Sequence, residues 1–297
     1  MIGDIRRLLL LPHVKVQNAN ALSSPYTIGF PAMTAWLGAV HALQRKLNGQ
    51  FSELKFKATA IISHECNLQT YKGVGDYVHS IVGTGNPLDK TGSRSAFIEE
   101  ARCHLDVSLV IEYSGVGKDY ENILASSISR FINSKMKIAG GDILTFNSPQ
   151  FLKIEDGNDT ELRKMTRKLM PGYVIVERRE LMIGAMENDQ DAIDSLLDAL
   201  AIHHNCERDG DGNISWLSKR KTAGWLVPIA TGFHGVTELG QAKNQRDPDV
   251  SHRFAESIVT LGEFKMPYCI KSLDEILWSY HHDIENDLYL CQQSKYL

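Results

Sequence analysis

Residues 7–47, RLLLLPHVKVQNANALSSPYTIGFPAMTAWLGAVHALQRKL, decide the fold. The first ten combine a run of leucines with an alternating end, which predicts a strand. Pro12 lacks a ladder N–H, so that strand is expected at a sheet edge or with a bulge. Gln17 to Pro31 is dense in Asn, Ser, Gly and Pro, residues that bond locally to the backbone or fix turn dihedrals, and predicts an ordered loop. From Thr34 onward Trp36, Leu37, Val40, Leu43 and Leu47 share one helical face. The unit is therefore strand, long loop, helix.

Working outward, KFKATAIIS at 55–63 predicts a second strand and residues 105–113 a third, with a polar, Gly-rich stretch between them. Within that stretch 77–82 is read as an arm of a hairpin, and a short helical pattern begins at Ser95. Helices are predicted over 120–137, 159–170, 184–202, 253–261 and 273–280, and strands over 172–178 and 224–229. Strands and helices without a regular βα alternation indicate an α+β chain. No internal repeat is visible.

The 297 residues, 43% hydrophobic and 23% charged, suit one globular core with insertions. No run of about 18 apolar residues occurs, and the four leucines after Arg6 and Arg7 are too short for a signal peptide. A cytoplasmic protein without a membrane span is expected. Cys66, Cys103, Cys206, Cys269 and Cys291 show no CxxC spacing, so neither a zinc cage nor a disulfide framework is expected. The net charge of −4 hides an asymmetry. Residues 1–60 carry seven cations against two acids, and 180–215 carry nine acids against one cation. Polyanion binding requires only a local positive face, which predicts a basic N-terminal footprint and an acidic helix pointing away.

Enzyme motifs fail on spacing. GVGKD, ending at Lys118 and Asp119, lacks the full phosphate-loop pattern. DGDGN at 209–213 has Ile214 and Arg220 where a calcium loop needs glycine and an acid. His64, Glu65 and Cys66 are not at zinc-protease spacing, and the pairs His203/His204 and His281/His282 point to different faces. RNA cleavage by His41 or His104 with Arg45 or Lys46 is chemically conceivable, since metal-free ribonucleases need a base and phosphate-binding cations. Neither histidine lies in a diagnostic motif. No metal or cofactor is expected.

The amides Gln17, Asn18 and Asn20, followed by Ser23 and Ser24, offer donor–acceptor pairs that match base edges, and hydroxyls that take phosphate. Single-stranded RNA is read by such groups on a small sheet platform. The same residues equally suit a turn satisfied by its own side chains, and composition leaves both readings open.

Several ordered motifs add to this. QNANALSSPYTIGFPAMTAWLGAVHALQR at 17–45 is followed by NPLDKTGSRSAFIEEARCHLDVSL at 86–109, KIAGGDIL at 137–144 and RKLMPGYVIVERREL at 167–181. GWLVPIATGF at 224–233, RFAESIVTLGEF at 253–264 and LWSYHH at 277–282 complete the series. In this order they resemble the Csy-type 5′-handle-binding subunit of type I-F CRISPR surveillance (Cascade) complexes, least so over 145–162 and 183–222. The resemblance implies a single RNA-binding domain with a ferredoxin-like or RRM-type core, peripheral helices, an inserted thumb at about 65–104 and a helical acidic segment at about 183–222. It implies a non-catalytic role in antiviral defence: binding the 5′ handle of the CRISPR RNA, capping the backbone filament beside the adjacent backbone subunit, pairing with the large subunit, and meeting target DNA indirectly through the complex. Carried onto this sequence, it makes Gln17, Asn18, Asn20, Ser23 and Ser24 handle contacts, supported by Gln44 and Arg45, with Arg94, Arg102, His104, Arg246 and Arg253 as further RNA-facing positions. The alternative is a metal-independent CRISPR repeat endoribonuclease.

Overall fold

A computed structural model describes residues 5–83, 87–94, 100–208, 210, 213–245 and 247–294. In chain order the first half runs β1 (Ile5–Asn20), β2 (Leu22–Ser24), β3 (Thr27–Ile28), α1 (Met33–Leu47), β4 (Lys55–Leu68), β5 (Thr70–Tyr71), β6 (Ser80–Ile81), β7 (Arg102–Ser114), α2 (Glu121–Lys135), β8 (Lys137–Ile138), β9 (Gly141–Thr145) and β10 (Gln150–Glu155). The second half runs α3 (Asp159–Lys168), β11 (Tyr173–Glu177), α4 (Arg179–Met186), α5 (Ala192–Leu200), β12 (Ile202–Arg208), β13 (Ile214–Arg220), β14 (Leu226–Gly235), β15 (Ala255–Lys265), β16 (Trp278–Asp283) and β17 (Leu288–Gln293). The chain is α+β, with a large antiparallel sheet and few helices. Among the described residues no helix is long and apolar enough to cross a membrane.

The leucine run of β1 is explained by its position. It is a central strand, flanked by β7 on one side and by β9 and β10 on the other. Alternate side chains point to opposite faces. Leu9 and Leu11 pack with α1 and α2, while Leu8 and Leu10 pack with α3 and the segment 270–277. A strand buried on both faces reads as continuously apolar. Pro12 sits in a central strand, tolerated at a bulge between Leu11 and Val14 where His13 takes a left-handed φ of 50°. The helical face predicted for α1 is buried at Trp36, Leu37, Val40, Leu43 and Leu47.

The sheet order β4-β7-β1-β9 makes one half of the molecule. β4 also pairs with β11 and β16, and through β15, β14 and β17 these close a circuit of six strands. Trp278 is fully buried at this junction, its indole Nε1–H donating to the Ile175 carbonyl at 3.1 Å. Glu177 and Gln293, both buried, exchange backbone-to-side-chain hydrogen bonds across the closure.

Several elements differ from the sequence expectations. The expected loop from Gln17 begins as strand, because β1 continues through Asn20 past a second bulge. The 253–261 helix is strand β15: Ile258, Val259 and Thr260 are β-branched, and Gly262 lets Ile175 and Ile229 pack against its backbone. Leu273, Ile276 and Leu277 mimic a helix within a single 3-10 turn, after which the chain straightens into β16 to seat Trp278. The acidic helix is split into α4 and α5 at Asp189, φ 63°, and 202–220 form the β12–β13 hairpin. The histidine pairs thus lie on strands, where neighbours again point apart. The helical pattern at 95–99 falls outside the described residues, as do Asp209, Asp211 and Gly212 of the DGDGN turn.

Candidate polar recognition strip

Beyond Leu10 and Ile62 the second face of the sheet emerges from under α3 and changes from leucine to polar side chains. Register and pleat place Lys15, Gln17 and Asn20 of β1, Glu65 and Asn67 of β4, and Arg102, His104 and Asp106 of β7 on this face. Asn20 lies opposite Arg102, Lys15 and Glu65 opposite Asp106, and Asn67 opposite His104. Lys15, Gln17, Asn67 and His104 line a groove of about 250 Å³.

At its end stands a small hydrogen-bonded cluster. Asn18, at the second bulge with φ 56°, donates its backbone N–H to His104 Nδ1 at 3.3 Å. Its Oδ1 accepts from Gln69 Nε2 at 2.6 Å, and that amide nitrogen also lies 3.2 Å from His104 Nε2. A neutral imidazole has one acceptor nitrogen. His104 therefore satisfies the Asn18 N–H or the Gln69 amide, not both, and within the cluster the Asn18 side-chain amide nitrogen and the Gln69 side-chain carbonyl oxygen are left for an outside partner. Gly141 holds the bulge in place: a Cβ there would come within 2.7 Å of the Gln17 carbonyl and 2.8 Å of the Ala19 nitrogen.

Nearer the core, His13 and His64 stack with ring centroids 4.1 Å apart. His13 Nδ1 lies 3.1 Å from Asp106, and His64 bridges the Pro171 carbonyl (2.5 Å) and Ser108 Oγ (2.7 Å). Burial holds the His64 pKa below its ordinary value, and the neighbouring His13 acts in the same direction. Ligating atoms of His13, His64 and Asp106 lie within 4.8 Å of one another. The rings are stacked, however, so their in-plane lone pairs run nearly side by side instead of converging on one ion. Ser108 is buried, and the carboxylate bonds His13 rather than the histidine beside the hydroxyl. This arrangement braces the strip and does not form an acyl-transfer triad.

The predicted residues separate into groups. Gln17, Asn18 and His104 belong to the strip. Asn20, Ser23 and Arg102 line an adjoining cleft of about 550 Å³ with Pro31 and Gly140. Asn20 is closed on itself, donating to the Leu22 carbonyl (3.1 Å) and accepting from the Leu22 N–H (3.0 Å), and Arg102 bonds Glu100 at 2.5 Å. Ser23 and the buried Ser24 both bond Thr27 within the β2–β3 hairpin. Gln44 accepts the Phe56 N–H at 2.6 Å. With the exposed Arg45 it lies at the far end of α1, about 18 Å along the axis from the first turn, and so does not share the strip. Arg94 is exposed on the insertion, Arg253 is ion-paired with Asp287, and Arg246 lies outside the described residues.

The nuclease pairing considered from the sequence is not assembled. His41 faces a pocket with Lys57, Tyr280 and Tyr289, and the cation beside His104 is Lys15, not Arg45 or Lys46. Nor is the N-terminal charge gathered on one face. Arg6 pairs with Glu112 and Asp274, and Arg7 donates to the Val116 carbonyl at 2.6 Å. Sequence reasoning missed Lys15, Asn67 and Gln69, although K-x-Q at 15–17, E-x-N-x-Q at 65–69 and R-x-H-x-D at 102–106 carry a period-two polar signal on strand termini.

Among the described residues this strip brings amides, a histidine, a lysine and two carboxylates together at an open end of the sheet. The model of the CRISPR-associated protein family Cas_Csy2 matches residues 9–291. The CRISPR-associated protein Csy2 of Pseudomonas aeruginosa (strain UCBPP-PA14) is 34% identical over 316 aligned positions, covering 97% of this chain and 95% of that protein. The chain belongs to the Csy2 family of CRISPR-associated proteins, in line with the type I-F resemblance of its motifs.

Proposed function

We propose that this protein is the non-catalytic subunit of a type I-F CRISPR surveillance complex that binds the 5′ handle of the CRISPR RNA. In this reading it caps the backbone filament, pairs with the large subunit and meets target DNA through the complex. The observation that carries the reading is the Asn18–Gln69–His104 cluster, whose free amide donor and acceptor at an open sheet end suit the paired donors and acceptors on the edges of unpaired bases. The unit β1–α1–β4–β7–α2–β9 with sheet order β4-β7-β1-β9 supports a ferredoxin-like, RRM-type core. Segment 69–101, which leaves the sheet after β4 and returns at β7, corresponds to the thumb. RNA lies along the strip edge, since the sheet's central faces are covered by helices. The work is geometric and electrostatic, without covalent chemistry.

Co-purification with the large subunit, followed by sequencing of the bound RNA, tests this directly: recovery of random RNA overturns it. Incubating the pure chain with repeat RNA separates the endoribonuclease reading. Specific cleavage lost in His104→Ala or His41→Ala would replace the binding role.

A further inference from the structure

A second surface, which the N-terminal charge count does not anticipate, lies on α3. Its sequence DTELRKMTRK places Leu162, Met165 and Thr166 inward and leaves Arg163, Lys164, Arg167 and Lys168 exposed. Arg163 and Arg167 are one turn apart on the same side. Together with Lys271, Thr166 and Tyr268 they line a groove of about 480 Å³. Asp159 is the acid at one end. Asp159, Leu162 and Lys271 also line the neighbouring hollow, which holds Glu155, Asp156 and Asp274, so the positive field is strongest at Arg163 and Arg167, toward the helix C-terminus. Among the described residues Arg163, Arg167 and Lys271 have no ion pair, while Lys168 is held by Gln150 at 2.8 Å. Three cations held around one groove repel one another until an anion enters.

Tyr268 is 69% exposed and presents an aromatic ring beside these cations. Guanidinium forks suit phosphate oxygens, and an exposed ring suits a base. The groove also has a direction. From the end of α3 the chain passes through Leu169 to Pro171, whose carbonyl meets His64 at the start of the polar strip.

We infer that the α3 groove, with Arg163, Arg167 and Lys271, binds the phosphodiester backbone of a nucleic acid and supplies sequence-independent affinity beyond what Lys15 gives the amide strip. The inference stands whether or not the strip reads an RNA handle. Guide RNA and target duplex DNA share this backbone chemistry, and the experiment distinguishes them. Arg163→Ala/Arg167→Ala/Lys271→Ala is prepared in the full chain, alone and assembled with its complex. Binding of unrelated single-stranded RNA to the chain, and of matching duplex DNA to the guide-loaded complex, is titrated across a salt series. Loss of three phosphate contacts makes the plot of log K against log salt shallower by about 2 for single-stranded RNA or by nearly 3 for duplex DNA, and weakens binding about tenfold or more at moderate salt. A change in the RNA arm identifies the guide, and a change in the DNA arm the target. Unchanged slopes in both arms overturn the inference, as does competition by polyglutamate with both nucleic-acid slopes intact, which makes the groove a protein-docking site. Lys271→Glu lies outside the helix and tests the same expectation should the triple variant misfold; Arg163→Lys/Arg167→Lys retains the slope.

Discussion

Asn18 combines two roles that substitution can separate. Its backbone is left-handed, φ 56°, and its amide bonds Gln69 at 2.6 Å. Asparagine already carries the Cβ that strains this conformation, and its short polar side chain eases the cost by bonding locally. Alanine keeps the Cβ and loses the neutral hydrogen bond, about 1 kcal/mol. Asn18→Ala should therefore destabilise the chain by about 1–2 kcal/mol, an appreciable part of a typical 5–15 kcal/mol. Asn18→Gly removes the Cβ as well, so relief of the clash offsets the lost hydrogen bond and stability should change by less than about 1 kcal/mol. For RNA recognition the two variants are equivalent, because both lack the amide. If that amide contacts a base, each loses about 1.4 kcal/mol, or tenfold, in affinity for handle RNA, with little change for an unrelated RNA of equal length. Urea unfolding gives the first quantity and fluorescence anisotropy of labelled RNA the second. A glycine variant that keeps full preference for the handle would refute the role given to the side chain. Equal losses for both RNAs would show that Asn18 supplies shape alone.

The remaining predictions concern the frame around the strip. Glu177 is fully buried and bonded to Arg179 at 2.6 Å, so Arg179→Ala removes the cation beside a buried carboxylate and should cost about 3 kcal/mol; unfolding of Arg179→Ala/Glu177→Gln should restore part of it, and no restoration would mean that packing, not charge, is lost. Because burial holds the folded His64 pKa below its unfolded value, the unfolded chain binds the extra proton. Stability should fall as pH drops through the unfolded histidine range near 6.5, and His64→Gln should flatten that part of the pH–stability curve. Gly141→Ala forces a Cβ onto the β1 bulge and should displace Asn18, so its handle affinity should fall with Asn18 itself unaltered; unchanged binding would show that the bulge can give way. Asn20→Ala should alter the corner between β1 and β2 more than RNA preference, since its amide is already paired with Leu22.

The α+β class, β1, the buried face of α1, and helices α2 and α3 were legible because periodicity reports which side of an element is buried. Arg253–Leu261 and Leu273–Tyr280 misled because apolar residues spaced three or four apart also occur in a strand buried on both faces, or in one 3-10 turn followed by a strand. In the strip, the chemistry of Gln17, Asn18 and His104 was legible in residue type. Gln69 was not, because it joins Asn18 only through the pairing of β4 and β1 with β7, fifty-one positions away. Gln44 and Arg45 lie close to the amides in sequence, but a fifteen-residue helix carries them to the opposite end. Proximity along a helix is not proximity on its surface.

Strand β4 is shared between the strip-bearing half and the six-strand circuit, and this gives the two halves different histories during synthesis. Pairings among β1, β4 and β7 use only the first 114 residues and can form as soon as these leave the ribosome. The circuit cannot close until Trp278 meets Thr59 and β17 joins β16. Loop closure over such a separation is slow. A nascent chain therefore carries these three paired strands for many seconds beside the unpaired side of β4, an open edge that a chaperone can shield until the circuit closes.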